Sequence, residues 1–346
     1  MNLSYRTRRN LRRSGKILGI AAIVGLIVWL CWMIWVARFV FFDRDLGAQL
    51  NFDLGAFPEG VLAVPPEDDP DLDIFYNDPL VDEPIVEVQK TSIQGYYIDF
   101  NDLKTDIAAV QAQLEALSPG TAVLFDVKSP KGYFYYSSGL EDTATTSTVD
   151  VAQMDALIEY LANSELYLIA RLPAFRDWRY GLNHVSSGLA EKGKGGALWM
   201  DETGCYWLDP TDETALNYLV RITKELKSMG FDEVVYDDFR LPNTTKVIFP
   251  ENKDQAISDA AAALATACAT EQFCVSFMGD DPTIQLPEGN CRLYFKNVAA
   301  EDVDTVAQQV ATADPALHIL FLTSDSDASD TRFNKYCVLR PLDSAH

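Results

Sequence analysis

Residues 230–242 read GFDEVVYDDFRLP. The run Val234–Tyr236 is β-branched and aromatic, which predicts a short buried strand. Gly230 ends the helical pattern before it, and Pro242 cannot continue a strand ladder, so the strand is expected to stop shortly before that proline. Two carboxylates and a guanidinium then lie at the C-terminal end of a core strand: Asp237, Asp238 and Arg240.

Strand and helix patterns alternate on both sides of this stretch. Strands are predicted at residues 96–100, 122–127, 166–171, 234–236, 273–278, 292–295, 318–322 and 336–339. Helices are predicted from a cap at Asn101 or Asp102 through Leu117, over 151–161, from Asp209-Pro210 to Met229, and over 256–269 and 303–310. This alternation predicts a parallel sheet and, with eight strands, an α/β fold of the (β/α)₈ TIM-like barrel type.

Two connections in the second half of the chain are too short for an ordinary helix. They join the fifth and sixth strands and the seventh and eighth strands, which leaves open a barrel that is degenerate in its second half. A doubly wound open sheet is the alternative, but the sequence lacks the Gly-rich phosphate loop that would favour it.

Carboxylates gather at the predicted C-terminal ends of strands, where barrel enzymes place their chemistry. They are Asp99, Asp126, Asp237, Asp238, Asp280 and Asp281. Two carboxylates on one rim suit glycoside hydrolysis, in which one protonates the leaving oxygen and the other attacks or activates water. The alternative is that Asp237 or Asp238 only pairs with Arg240 and fixes the loop.

Asp237 is the first candidate for a catalytic role, as a nucleophile or as a stabiliser of positive charge. Arg240, three residues on, is expected to approach Asp237 and keep it charged. Asp126 and Lys128, at spacing i and i+2, are expected on one face of a strand end, either acting together or as an ion pair that closes the barrel. The general acid is left open among four candidates: Asp126, Asp177, Asp238 and Asp280.

Aromatic side chains occur in the loops that follow the same strands. Trp199 and Trp207 precede the third long helix, and further aromatic residues follow the second and third strands. Sugar rings stack on such faces, although loop packing explains the same residues equally well.

The N-terminal quarter of the chain has a different composition. Residues 1–16 form a basic tail that is expected to be cytoplasmic, and residues 17–42 are expected to be a transmembrane signal anchor, because the first 21 of them carry no charge. A cleaved signal peptide is the competing interpretation, but no small-x-small cleavage site follows. Residues 43–92 are acidic and proline-rich, which predicts an extended stalk, and residues 93–346 form the barrel domain outside the cell.

Charge and cysteine content exclude several classes of function. The first 42 residues hold seven basic residues and no acid, so all 51 acidic residues lie beyond them. Such a surface repels nucleic acid, and no nucleic-acid partner is expected. The cysteines show no Cys-x-x-Cys spacing and the three histidines are scattered, so neither a metal nor another cofactor is predicted. A disulfide between Cys268 and Cys274 is open, but buried thiols are favoured.

Ordered motifs between Thr121 and Pro242 carry a family resemblance. They are Asp126-Val127-Lys128 with Gly132, Tyr167–Arg171 with Phe175-Arg176-Asp177, Trp199-x-Asp201-x-x-Gly204-x-x-Trp207-Leu208-Asp209-Pro210, and Gly230–Glu233 leading to Asp237 and Arg240-x-Pro242. In these motifs the chain resembles the glycoside-hydrolase-like domain family of bacterial envelope proteins. The resemblance implies a (β/α)₈ barrel, a carbohydrate substrate, and a site that contains Asp126, Lys128, Arg171, Asp177, Asp237 and Arg240.

The sequence departs from the family pattern in its second half. Asp238 replaces the aromatic residue that usually follows Asp237, and Phe277-Met278 stands where the family has an acid. Residues 294–297 likewise replace the family's proline- and tyrosine-bearing strand end. Two functions are therefore expected: an envelope-anchored glycosidase that acts on cell-wall or extracellular polysaccharide, or a catalytically decayed barrel that binds glycan or serves as an envelope scaffold.

Overall fold

The computed structural model of the chain describes residues 40–43, 47–50, 92–249 and 252–345. The chain divides into two compact units, residues 1–83 and residues 84–346. In the first unit, strands β1 (Val40–Asp43) and β2 (Gly47–Leu50) form an antiparallel hairpin at the junction that the sequence assigns to anchor and stalk. The predicted basic tail, the predicted anchor up to residue 39 and most of the predicted stalk (residues 44–46 and 51–91) lie outside the described residues. No helix within the described residues is both long and apolar enough to cross a bilayer.

The second unit is a closed barrel of eight parallel strands. Each strand pairs with the next along the chain, and the last pairs with the first. The strands are β3 (Gln94–Tyr97), β4 (Ala122–Asp126), β5 (Tyr167–Pro173), β6 (Glu233–Asp237), β7 (Cys274–Met278), β8 (Leu293–Lys296), β9 (Ile319–Leu322) and β10 (Cys337–Pro341). All eight predicted strands are confirmed, and closure excludes the open doubly wound sheet.

The helical layer around the barrel is incomplete. Its helices are α1 (Phe100–Thr105), α2 (Ile107–Leu114), α3 (Val151–Ala162), α4 (Trp178–Asn183), α5 (Glu213–Ser228), α6 (Lys253–Cys268), α7 (Val303–Gln309) and α8 (Pro315–His318). Residues 279–292 join β7 to β8 without a helix, and only 3₁₀ turns join β9 to β10. The two connections that looked too short for a helix are therefore the degenerate ones, whereas the sheet itself is complete.

Three helix starts differ from the sequence-based expectation. Asp99, not Asn101 or Asp102, caps α1, because its carboxylate accepts from the Asn101 N–H at 2.7 Å. Asp106 then interrupts the predicted single helix and caps α2. Asp212 caps α5, whereas the carboxylate of Asp209 accepts hydrogen bonds from Thr211 in the preceding turn. In each case a nearby aspartate competed for the cap, a choice that local sequence does not decide.

Apolar side chains fill the middle of the barrel, and a buried polar network closes its N-terminal end. The filling side chains include Leu124, Ile169, Val235, Met278, Leu320 and Leu339. Below them, Arg292 lies 2.5 Å from the fully buried Glu233 carboxylate, which also accepts hydrogen bonds from the hydroxyls of Tyr167, Ser276 and Tyr294. These contacts belong to the stability end of a barrel, so the functional site is sought at the opposite end.

The five cysteines in the described part of the chain are free thiols, and all are buried. The disulfide between Cys268 and Cys274 does not form, and buried thiols, the favoured alternative, are what the structure contains. Burial raises the pKa of the Cys268 thiol, which keeps it protonated.

Candidate functional site

Four charged side chains from four strands meet at the C-terminal mouth of the barrel. Asp126 ends β4, Asp237 ends β6 and Lys296 ends β8, while Arg171 lies opposite Asp126 in the register of β4 and β5. Each of the four side chains is between 19% and 35% exposed. The carboxyl ends of parallel strands lie at one edge, so these groups are presented together to solvent.

Asp126 and Arg171 form a two-pronged ion pair. Arg171 Nε lies 2.5 Å from Asp126 Oδ1, and Nη2 lies 3.0 Å from Oδ2. Burial alone would lower the pKa of Arg171, but the negative charges of Asp126 and Asp237 raise it above its usual value. Arg171 therefore links the two carboxylates electrostatically while it binds only one of them.

Asp237 is paired with Lys296, not with Arg240. The ammonium of Lys296 lies 2.8 Å and 3.0 Å from the two oxygens of Asp237, and Asp237 Oδ1 also accepts the N–H of Asp238 at 2.7 Å. The expectation that Arg240 approaches Asp237 is wrong, because Arg240 instead lies 3.8 Å from the carboxylates of both Asp238 and Asp280.

Asp238 takes a left-handed backbone conformation that turns the chain sharply after β6. Its φ is 51°, and Asn297, the residue after Lys296, has a φ of 60°. The Asp238 carboxylate pairs with Arg176, whose Nη1 lies 3.3 Å from it. Of the two adjacent acids, Asp237 is the one that joins the mouth.

Asp201 organises the loop that carries the predicted tryptophans. Its carboxylate accepts from Arg176 Nε at 2.8 Å and from Trp207 Nε1 at 3.0 Å, and also from the N–H groups of Thr203 and Cys205 at 2.9 Å. Burial alone would raise the pKa of Asp201, but these hydrogen bonds and the charge of Arg176 lower it to about 2. Asp201 therefore stays ionised and fixes Trp207.

The two tryptophans predicted to bind sugar are placed differently. Trp207 is only 4% exposed, and the Arg240 guanidinium lies over its ring at 5.3 Å. Trp199 is half-buried and packs against the core. The sugar-stacking role of both residues remains a prediction.

Lys128 pairs with Asp177 inside the wall of the barrel. Its Nζ lies 2.5 Å from Asp177 Oδ2, and neither side chain has any exposed surface. Asp177 also caps α4 through the Tyr180 N–H at 2.8 Å and accepts from the Tyr218 hydroxyl at 3.1 Å. The predicted unit of Asp126 and Lys128 is therefore wrong: β4 ends at Asp126, so the strand alternation that would align the two side chains no longer applies at Lys128.

Sequence reasoning missed three of the residues that shape this face. Lys296 stands at the end of a predicted strand, so the rule applied to the acids would have found it. Arg176 and Asp201 lie within the quoted motifs, but their pairing joins separate loops and has no local signal.

Asp280, one of the predicted candidates for the general acid, has a side chain that is 71% exposed and contacts only the edge of the site through Arg240.

A protein-family model matches more than half of the chain. The model of the family described as "Putative glycosyl hydrolase domain" matches residues 95–276, which include all the motifs that carried the resemblance and confirm it. No curated protein sequence matched the chain.

Three solved structures are similar to the chain, and the first of them, with a TM-score above 0.5, shares its fold. The glycoside hydrolase domain of PgaB (BpsB) from Bordetella bronchiseptica is 10% identical, with a TM-score of 0.52 over 74% of this chain and 96% of that one. The glycoside hydrolase domain of PelA from Pseudomonas aeruginosa is 12% identical, with a TM-score of 0.45 over 73% and 96%. A hypothetical protein from Ruminiclostridium thermocellum is 22% identical, with a TM-score of 0.45 over 53% and 96%.

Proposed function

Because the chain belongs to the putative glycosyl hydrolase domain family, we propose that it binds carbohydrate at the mouth of its barrel through two carboxylate–cation pairs. The observation that carries this proposal is the pairing of Asp126 with Arg171 and of Asp237 with Lys296 at one strand-end rim. Each pair offers both donors and acceptors in a fixed geometry, as hydroxyl groups on adjacent sugar carbons require. The two pairs are formally neutral together, which suits a sugar without net charge.

Glycoside hydrolysis is the second candidate, favoured by two carboxylates on one rim. Asp237, paired with Lys296, would serve as the nucleophile or as a stabiliser of an oxocarbenium-like transition state. Hydrolysis also requires a general acid, which must be protonated. Three of the four candidates for this role are engaged with cations. Asp126 is bound by Arg171 through both oxygens, Asp177 is fully buried beside Lys128, and Asp238 is held by Arg176.

The remaining candidate acid is Asp280. It is 71% exposed and lies 3.8 Å from Arg240, a distance longer than a hydrogen bond. Hydrolysis would therefore require the loop after β7 to bring Asp280 over the mouth. Binding requires no such movement, so it is the function that the geometry supports best.

Asp237→Asn separates the two functions. The change keeps the shape of the side chain and removes its charge, so the fold is expected to survive. If the protein binds glycan, affinity on a glycan array should fall by about 1–3 kcal/mol, the scale of a hydrogen bond to a charged group. If it hydrolyses glycan, release of reducing sugar should fall by orders of magnitude instead. Unchanged binding and hydrolysis in this variant would contradict both functions.

The cellular setting belongs to the same proposal. Residues 17–42 would anchor the chain in the cell membrane as a single pass, with the basic N-terminus in the cytoplasm and the barrel outside, facing wall or extracellular polysaccharide. Protease added to intact spheroplasts should remove the barrel domain. Full protection of the domain would contradict this topology.

A further inference from the structure

A groove of about 580 Å³ lies on the C-terminal face of the barrel, beside the mouth. The loop after β6, the loop after β7 and the first turns of α6 form its walls. None of the four paired side chains of the mouth lines it. Its size falls in the range of about 300–1,000 Å³ that small-molecule sites occupy.

The floor of the groove is apolar. Phe239 and Ile257 are buried beneath it, and Leu241 and Ile284 are half-buried along it. A pyranose ring carries C–H groups on its faces and hydroxyls at its edge, so one face can lie on such a floor while the hydroxyls reach the walls.

Among the described residues that line the groove, the charges on the rim are balanced. Arg240 and Lys253 provide two cations, and Asp254 and Asp281 provide two carboxylates. A ligand with a net charge would meet one repulsive group for each attractive one, whereas neutral hydroxyls can use all four groups. Neutral hydrogen-bonding side chains complete the rim: Asn243, Ser258 and Thr283.

Arg240 lines the groove and lies three residues after Asp237 in the chain. Its guanidinium lies over Trp207, is 40% exposed, and is 3.8 Å from Asp238, the neighbour of Asp237 in the chain. Its separations from Asp238 and Asp280 are both longer than a hydrogen bond, so these guanidinium nitrogens can donate to a ligand.

We propose that this groove is a second carbohydrate subsite, which takes further units of a neutral oligosaccharide whose first units bind at the mouth. The inference rests on the proposed carbohydrate binding and deepens it: the ligand is a chain of several neutral sugars and not a single one. Arg240 is the groove residue whose guanidinium would donate to the ligand.

The test measures how affinity depends on oligosaccharide length in the wild type and in three variants of the full chain. The probes are arrayed oligosaccharides of two to six units in neutral, amino-sugar and uronic-acid series, with affinities for the bound members measured by titration calorimetry. Ser258→Trp fills the groove from α6, and Ala263→Trp is its matched control, at an exposed position of the same helix outside the groove. Asp237→Ala disables the mouth. Asn243→Trp fills the groove from an exposed loop position and replaces Ser258→Trp if that variant misfolds.

Wild type and Ala263→Trp should bind the longest neutral members about tenfold or more tighter than the disaccharide, the gain expected from about 1.4 kcal/mol of added contact. Ser258→Trp should abolish that gain and keep disaccharide binding. If Ser258→Trp keeps the full increase in affinity with ligand length, the groove subsite is overturned and binding at the mouth stands. The same follows if affinity increases with length only in the charged series. Binding that survives Asp237→Ala but is lost in Ser258→Trp supports the groove subsite and overturns the proposed site at the mouth. If the wild-type protein binds none of the probes, both sites are overturned.

Discussion

Lys296 reaches over strand β7 to Asp237, with its ammonium 2.8 Å and 3.0 Å from the two carboxylate oxygens. The two residues end strands β6 and β8, which do not pair with each other but both pair with β7, so the strand order of the sheet brings them together. This contact, and not the expected one with Arg240, determines the charge environment of the principal candidate residue.

Lys296→Met should weaken glycan binding and leave stability nearly unchanged. The change removes the cation that orients Asp237, so affinity should fall by about 1–3 kcal/mol. The pair is partly exposed, so the free energy of unfolding should change by no more than about 1 kcal/mol. Calorimetric titration and urea unfolding measure the two effects.

Lys335→Met is the matched control for this change. It removes another lysine from an exposed ion pair, with Asp304 at 2.6 Å, in the connection between β9 and β10. Its effect on binding should be negligible. Equal losses of affinity in the two variants would show that Lys296 has no special relationship with the ligand.

Lys128→Met should destabilise the protein severely, because it leaves the Asp177 carboxylate buried without a cation. Breaking a buried pair by removing one partner costs about 3–5 kcal/mol. Lys128→Met combined with Asp177→Asn, which keeps an oxygen for the α4 cap, should recover part of that loss. Urea unfolding of the single and double variants measures the recovery; a stable single variant that no longer binds glycan would instead restore the substrate-binding role predicted from sequence.

The strands could be predicted from sequence because each is a short apolar run bounded by its own helix or turn signals. The run before Asp237 and the run before Lys296 were both recognised in this way. The contact between Asp237 and Lys296 was not, since it depends on which strands are neighbours in the sheet. The local sequence pattern therefore predicts which residues lie at the strand-end rim, but not which cation pairs with each carboxylate there.

Two predicted pairs failed for a more local reason. The alternation rule holds only inside a strand, and β4 ends at Asp126, two residues before Lys128. Arg240 was expected near Asp237 by sequence distance alone, but the left-handed conformation of Asp238 redirects the chain between them. Neither the exact strand end nor a positive φ at an aspartate has a reliable signal in a single sequence.

Asp238→Ala should destabilise the protein more than Asp238→Gly or Asp238→Asn. The left-handed conformation at φ 51° disfavours a Cβ-bearing residue by about 1–2 kcal/mol, whereas glycine adopts it freely and asparagine tolerates it. Urea unfolding of wild type, Asn297→Ala and Asn297→Gly makes the same comparison at Asn297, φ 60°. It gives the backbone contribution at a second left-handed position that has no ion pair to Arg176. An alanine variant as stable as the glycine variant at both positions would contradict the strain.

Asp201 makes the stability of the fold depend on pH. Hydrogen bonds from Cys205, Thr203 and Trp207, with the charge of Arg176, outweigh burial and lower the pKa of Asp201 from 3.8 to about 2. A carboxyl whose pKa is lower in the folded than in the unfolded state stabilises the fold above its unfolded pKa. That stabilisation is complete above about pH 4 and is lost as the pH falls toward about 2.

Asp201→Asn should therefore melt below wild type by about 2–4 °C at pH 5, the shift that corresponds to about 1 kcal/mol in a domain of this size. The difference should shrink steadily as the pH is lowered from 4 toward 2, because wild-type Asp201 becomes protonated and loses its charge for Arg176. Asp281→Asn is the matched control. In the loop after β7, Asp281 accepts hydrogen bonds from the N–H of Thr283 at 2.8 Å and from its hydroxyl at 2.6 Å. Asp201 accepts the same two bonds from Thr203. Thermal melts of the three proteins across this range would contradict the assignment if the Asp201→Asn difference stayed constant, or if Asp281→Asn showed an equal pH dependence.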